Sequence, residues 1–285
     1  EPIWVTAEKQ GLITASYFWP GSQAKIKGIQ PTYWYPYDGD VPNEERVQQV
    51  LKWLDLSRDK RPAFIMTYFS ILDDVGHEYG PNSSEVIAAI QYVDSVIGIL
   101  LDGLHKRDIL NRVNVIVVSD HGMAEISPER VIYLDDYIDM EDVQIVDWNP
   151  VAAINPEAGK EEEVYRKLKD AHPHMGVYRK REIPERFHYR DHPHIPKILA
   201  IADEGWSITS HEGVRPHYIR GGNHGFDNRA RSMGALFIAH GPAFKSGLLV
   251  DSFRNIHLYE PMAEILNVQP APNDGSLDSV KVMLK

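Results

Sequence analysis

The chain has 285 residues, 43% of them hydrophobic and 25% charged, with a formal net charge of -11. That length supports one large α/β domain or two small ones, and the acidic balance argues against a duplex nucleic-acid binder, whose affinity comes mainly from basic contacts to phosphate. Cysteine is absent, which excludes disulfides, thiolate nucleophiles and cysteine-ligated zinc within these residues.

The chain opens on Glu1-Pro2-Ile3-Trp4, with neither a starting Met nor a signal-peptide pattern, as though cut from something longer. No apolar run reads as long enough to span a membrane. Residues 1 to 40 are rich in turn formers and aromatics. Leu12 to Trp19 reads as a short strand that breaks at Pro20, and Tyr33, Trp34, Tyr35 and Tyr37 follow in a loop or irregular edge. Aromatics there either cover the core or stack on a planar ligand, core packing being the commoner fate.

A helix is expected from Pro42-Asn43, with Asn43 as N-cap, Glu44 and Glu45 at its positive end, and Val47, Val50, Leu51 and Leu54 on one face. Ala63 to Phe69 reads as a central strand. Beyond it come Asp73 and His77, four residues apart, with Gly76 allowing a tight backbone approach to a ligand. Val86, Ile90, Val93, Ile97, Leu100 and Leu104 then form a long amphipathic stripe.

In Val113 to Val118 five of six residues are apolar and β-branched, so the run reads as a strand buried on both faces. It ends in Asp120-His121-Gly122. Alone, such a tripeptide is more often a capped turn than a ligand pair. Two consecutive βα units, however, imply parallel strands, which puts both Asp/His sets on one rim of the sheet.

Val143 to Val146 and Val151 to Ile154 read as short strands, and Glu161 to Lys169 as a polar helix with Val164 and Leu168 inward. His172, His174, His188, His192, His194, His211 and His217 mark a stretch of different texture, interrupted by a strand at Ile198 to Ala202; its His-x-His pairs, 172/174 and 192/194, could bind metal with both side chains turned one way but read as solvated surface histidines. His224 is different, because a histidine between Gly222 and Gly225 in an exposed turn is not explained by core packing. A core strand at Ala235 to Ala239 and a helix from Leu258 to Leu266 complete the chain. The expected architecture is α/β, a mostly parallel central sheet with helices on both faces, plus a less regular lobe over the C-terminal rim. Residues 1–285 are taken as one domain, with 155–220 a less regular insert.

The rim collects Asp73, His77, Asp120, His121 and His224. A catalytic zinc takes three protein ligands plus a water, so five ligands exceed one site and fall one short of two. Paired metals suit phosphoryl transfer, one ion activating the attacking oxygen and the other stabilising the leaving one.

Asp73-Asp-Val-Gly-His77-Glu-Tyr-Gly-Pro81, Val118-Ser-Asp-His-Gly-Met123 and Asn223-His-Gly-Phe-Asp-Asn228, together with Tyr17-Phe-Trp-Pro-Gly-Ser22 and Val41-Pro-Asn-Glu-Glu-Arg46, closely resemble the nucleotide pyrophosphatase/phosphodiesterase family of the alkaline phosphatase superfamily. The likeness runs along essentially the whole chain and is weakest over 172–220. It implies an alkaline phosphatase-like catalytic domain with two zinc ions, one held by Asp73, His77 and His224, the other by Asp120 and His121. It further implies a sixth ligand, an aspartate, and a threonine or serine nucleophile that forms a covalent phospho-enzyme; neither motif is matched here, and both are expected upstream of Glu1 in a segment that completes the site. By the same resemblance Trp19 and Tyr37 form a slot for the nucleotide base, the substrate is a small nucleotide cleaved to a nucleoside 5'-monophosphate, and the protein is extracellular or periplasmic. The residues leave open a phosphomonoesterase or other ester hydrolase of the superfamily, or an inactive metal-binding module.

Overall fold

In the computed structural model, which describes residues 1–215 and 219–285, contacts divide the chain into two compact units. His217 of the histidine-rich stretch lies outside the described residues.

The first unit comprises Glu1–Ser70, Ile90–Val118 and Phe237–Lys285. Its parallel sheet has the order β2 (Tyr33–Tyr35), β1 (Thr14–Tyr17), β3 (Phe64–Thr67), with Ala15 opposite both Tyr33 and Ile65. All four residues of β1 are buried, as a central strand requires. Of the tyrosine-rich stretch, expected as loop or irregular edge, Tyr33–Tyr35 is thus a regular edge strand, while Tyr37 lies in the loop that follows. Cross-packing explains it: the Tyr33 and Tyr35 rings stack on Trp53 at 6.2 and 6.0 Å between centroids.

Ile3–Lys9 forms α1 and Asn43–Leu54 forms α2. Pro42 holds the N-cap position of α2 and Asn43 is the first helical residue, so the expected asparagine cap is not made; Glu44 and Glu45 do occupy the first turn. Val47 and Leu51 pack with Val96 and Leu104 of α4 (Ser84–Lys106), and Leu51 comes so close to Gly103 that a Cβ there would lie 2.4 Å from its Cδ1.

An 18-residue stretch within the 23-residue α4 has a mean hydropathy of 1.6, and by length and composition alone the helix is long and apolar enough to cross a membrane. This corrects the expectation that no apolar run has that length. The amphipathic stripe is filled in by alanines, glycines and further isoleucines, and part of it is used in packing on α2.

Val115–Val118 forms β4, paired antiparallel with β13 (Phe237–His240). Val115 packs on the α2/α4 cluster and Ile116 on the cluster of Phe244, Val280 and Met283, so alternate side chains meet apolar neighbours on both faces. Helix α6 (Tyr259–Leu266) packs against α1.

The second unit comprises Ile71–Ala89 and Ser119–Leu236. Its largest sheet is antiparallel, in the order β7 (Val143–Asp147), β8 (Val151–Pro156), β10 (Ile198–Ala202), β9 (Met175–Arg179). One face, carrying Ala152, Ile154, Ile198 and Ala200, packs with Val164 and Leu168 of α5 (Glu161–Leu168) and with Leu134 and Ile208. The other carries Ala153 and Leu199 and packs on Ile183 and Ile195. Burying each large aliphatic side chain contributes about 1.5–3 kcal/mol before entropy is counted. Two short ladders complete the unit: β6 (Val131–Tyr133) runs parallel to β11 (Ser207–Thr209), and β5 (Ala124–Glu125) antiparallel to β12 (Gly222–Asn223).

Candidate metal centre

Asp73 and His77 lie in α3 (Ile71–Tyr79), which follows β3 in the chain. The sequence suggested that Gly76 lets the backbone approach a ligand tightly. In a helix the four-residue spacing instead puts both side chains on one face, and Gly76 serves packing, since a Cβ there would lie 3.0 Å from the Met123 methyl. The close approach belongs to Gly221 and Gly222, where added Cβ atoms would lie 2.1 Å from the His77 carbonyl oxygen and 2.6 Å from that of Gly76. Gly221 also has φ +79°, the left-handed region that glycine adopts freely.

The β5–β12 ladder brings the other two segments together. Asn223 stands opposite Ala124, so the chain preceding β5, which carries Asp120 and His121, lies across from His224. The His121 and His224 rings stack with centroids 3.5 Å apart, and His77 lies 5.0 Å from His224. Gly122 is held where a Cβ would lie 1.9 Å from the Ser232 carbonyl oxygen, which accounts for the glycine after the Asp-His pair.

These rings converge on one atom. Asp73 Oδ1 lies 3.5 Å from His77 Nε2, 3.9 Å from His121 Nε2 and 3.5 Å from His224 Nε2. It is buried and, among the described residues, has no hydrogen-bond partner. His77 Nδ1 lies 2.9 Å from the Gly222 carbonyl oxygen and His121 Nδ1 2.9 Å from that of Gly122. A carbonyl only accepts, so in the neutral rings both Nδ1 atoms carry the hydrogen and both Nε2 atoms present lone pairs to Asp73. Acceptors that face an orphaned carboxylate oxygen call for a cation among them. Ligands of a tetrahedral zinc, with bonds of about 2.0 Å, lie about 3.3 Å apart, close to the separations found.

Among the described residues, Asp73, His121 and His224 form a group whose ligand atoms all lie within 4.8 Å of one another. Asp120 is the most exposed of the five; its Oδ2 lies 3.5 Å from His121 Nε2 and its Oδ1 accepts the His121 amide hydrogen at 3.2 Å. The pKa of His224 is lowered, first by burial and then by His121; Asp73 pulls the other way.

Trp19 and Tyr37 belong to the first unit. Trp19 is half-buried against Trp4, Val5 and Met66. Tyr37 is 50% exposed, with its ring 5.4 Å from Phe18 and its hydroxyl donating to Ser70 Oγ at 3.3 Å. Asp227, three residues after His224, is not free to act as a ligand, because Arg186 grips its carboxylate and lowers its pKa. Sequence reading did not single out Arg186, which stands in an arginine-rich segment far from any motif.

The sequence profile of type I phosphodiesterase / nucleotide pyrophosphatase matches residues 1–227. Similar curated proteins include a venom phosphodiesterase of Crotalus durissus collilineatus, 40% identical over 294 residues, and human ectonucleotide pyrophosphatase/phosphodiesterase family member 1, 40% identical over 295. Each alignment covers 100% of this chain but only 35% and 32% of the relative. The chain thus spans about a third of the length of these relatives. Among solved structures, murine ectonucleotide pyrophosphatase/phosphodiesterase 5 superposes with a TM-score of 0.95 at 38% identity, covering 100% of this chain and 75% of that one. An inactive variant of the murine protein in complex with AMP superposes equally well. The fold is accordingly the alkaline phosphatase-like α/β fold.

Proposed function

The chain belongs to the type I phosphodiesterase / nucleotide pyrophosphatase family, and from this we propose that the protein is a two-zinc hydrolase of nucleotide 5'-phosphodiester and pyrophosphate bonds that releases nucleoside 5'-monophosphates. One observation carries the metal dependence: the buried, unpartnered Asp73 Oδ1 faces three histidine Nε2 atoms.

Asp73, His77, Asp120, His121 and His224 would hold the metal, and five donors exceed the three that one catalytic zinc takes from protein. Zinc bound there would lower the pKa of an attacking oxygen and neutralise charge on the leaving one. The chain's own contribution is orientation. The carbonyls of Gly222 and Gly122 fix the tautomers of His77 and His121, and burial keeps His224 neutral and able to donate its lone pair. In a chain of net charge -11, an anionic phosphodiester depends on a local positive feature, which this donor set would supply through bound cations. Tyr37, and with it Trp19, would stack on the nucleotide base; the half-exposed Tyr37 ring supports that role. We place the protein outside the cell, a reading supported by the venom proteins among its relatives.

The test is metal analysis of the whole purified protein, with parallel assay of a nucleoside 5'-phosphodiester and a phosphomonoester. Two zinc ions per chain, chelator-sensitive turnover and faster diester cleavage are expected. Faster monoester cleavage, or turnover that survives complete metal removal, overturns the proposal.

A further inference from the structure

We infer that Arg186 is a positioning residue for His224, acting through a two-point grip on Asp227; the inference rests on the metal-site reading above. His224 stands between Gly222 and Gly225, and Gly225 has φ +89°, so the backbone on either side of the imidazole has the widest conformational freedom a chain allows. Something outside the loop has to fix it. On the N-terminal side the β5–β12 ladder and the close approach of Gly221 and Gly222 to α3 do so. On the C-terminal side Phe226 is buried in the core, and the next residue is Asp227.

Both carboxylate oxygens of Asp227 are engaged by Arg186. Nη1 donates to Oδ1 at 2.7 Å and Nη2 donates to Oδ2, while Nη1 also reaches Asn228 Oδ1 at 3.3 Å. Such a fork defines position and angle together, which a single-point contact does not. The guanidinium in turn lies over its neighbour Phe187, 4.0 Å from the ring centroid. Asp227 Oδ1 accepts the Arg229 amide hydrogen at 2.9 Å as well, closing the turn on itself.

The pair is not a major source of global stability. Its side chains are 27% and 42% exposed, and ion pairs in that setting contribute little. Phe187, Phe226 and Asp227 line an open groove, so truncating Arg186 admits water and leaves no sealed void. The consequence of the grip is local: it holds the loop that carries His224, and it denies the Asp227 carboxylate to any cation nearby.

The experiment is zinc titration of the metal-free whole protein by calorimetry, with thermal melting of the same samples, for the unsubstituted protein, Arg186→Ala, Arg186→Lys and the near-isosteric Asp227→Asn. Losing a group that orients a metal ligand costs about 10- to 100-fold in affinity, and that loss is expected for Arg186→Ala and Asp227→Asn with the metal-free melting temperature unchanged. Arg186→Lys should recover only part, because an ammonium cannot grip both oxygens at once. Unchanged zinc affinity in Arg186→Ala and Asp227→Asn overturns the inference alone, as does full recovery by Lys or an affinity loss matched by a fall in metal-free melting temperature. Absence of zinc binding in the unsubstituted protein overturns the metal-site reading itself.

Discussion

The imidazoles of His121 and His224 lie face to face, 3.5 Å between centroids and 15° from parallel, although they come from segments far apart in the chain. Two stacked imidazolium cations would repel at that distance, and burial with His121 alongside lowers the pKa of His224, so the stack favours a neutral ring there. Neutral rings are also what a metal ion needs. The stack thus joins the protonation state of the site to its ligand chemistry.

A pH dependence follows from the lowered pKa of His224, caused first by burial and then by His121. An unfolded chain's histidine titrates near about 6.5, so between the folded value and that one the unfolded state holds more protons. Stability of the metal-free protein is then complete above about pH 6.5 and declines as pH falls through the lower folded value. Imidazole NMR of the metal-free protein should find His224 titrating below the free value, and His224→Gln should flatten the acid side of the stability profile. Titration of His224 at or above the free value contradicts the stacked geometry.

Much of this site was legible because its motifs are short and local. An apolar β-branched run ending in Asp120-His121, and a histidine isolated between Gly222 and Gly225, announce themselves without knowledge of the fold. The helix holding Asp73 and His77 did not, since Asp73-Asp74 and Gly76 weaken helical propensity and the helix is held by Gly221 and Gly222, remote in sequence. Convergence of three rings on Asp73 Oδ1 depends on the β5–β12 ladder, two residues per strand, which no periodicity reveals. The same holds for the antiparallel pairing of β13 with β4: a buried strand's residues record its burial and not its direction.

Replacing Asp73 by Asn should separate ligation from folding. Its Oδ1 has no donor among the described residues, so removing the charge relieves an unpaired buried acceptor and should leave the melting temperature of the metal-free protein unchanged or raised. Zinc affinity should fall by more than the roughly 10- to 100-fold that follows loss of a merely orienting group. Calorimetric titration checks this, and retained affinity would remove Asp73 from the ligand set.

Gly221→Ala adds a Cβ 2.1 Å from the His77 carbonyl oxygen at a residue with φ +79°. A left-handed alanine costs about 1–2 kcal/mol and overpacking about 1–3 kcal/mol more. Gly159→Ala is the control: φ is +81° but none of the described residues lies within 4 Å of the added carbon. Denaturant unfolding should find Gly221→Ala the more destabilised of the two, and only that variant should also weaken zinc binding, because it displaces the backbone that orients His77.

For the nucleotide base, Tyr37→Ala is the informative change. The ring is half exposed, its edge is held by Phe18 at 5.4 Å and its hydroxyl by Ser70, so truncation removes a supported flat surface without opening the core. Stacking on a base is worth about 1–3 kcal/mol, which corresponds to a rise in KM of roughly 5- to 150-fold for nucleotide diesters, with kcat little changed if the contact is equal in ground and transition states. A small aryl phosphodiester, lacking the base, should be affected much less. Equal effects on both substrates would return Tyr37 to a role in packing, alongside Trp19 against Trp4 and Met66.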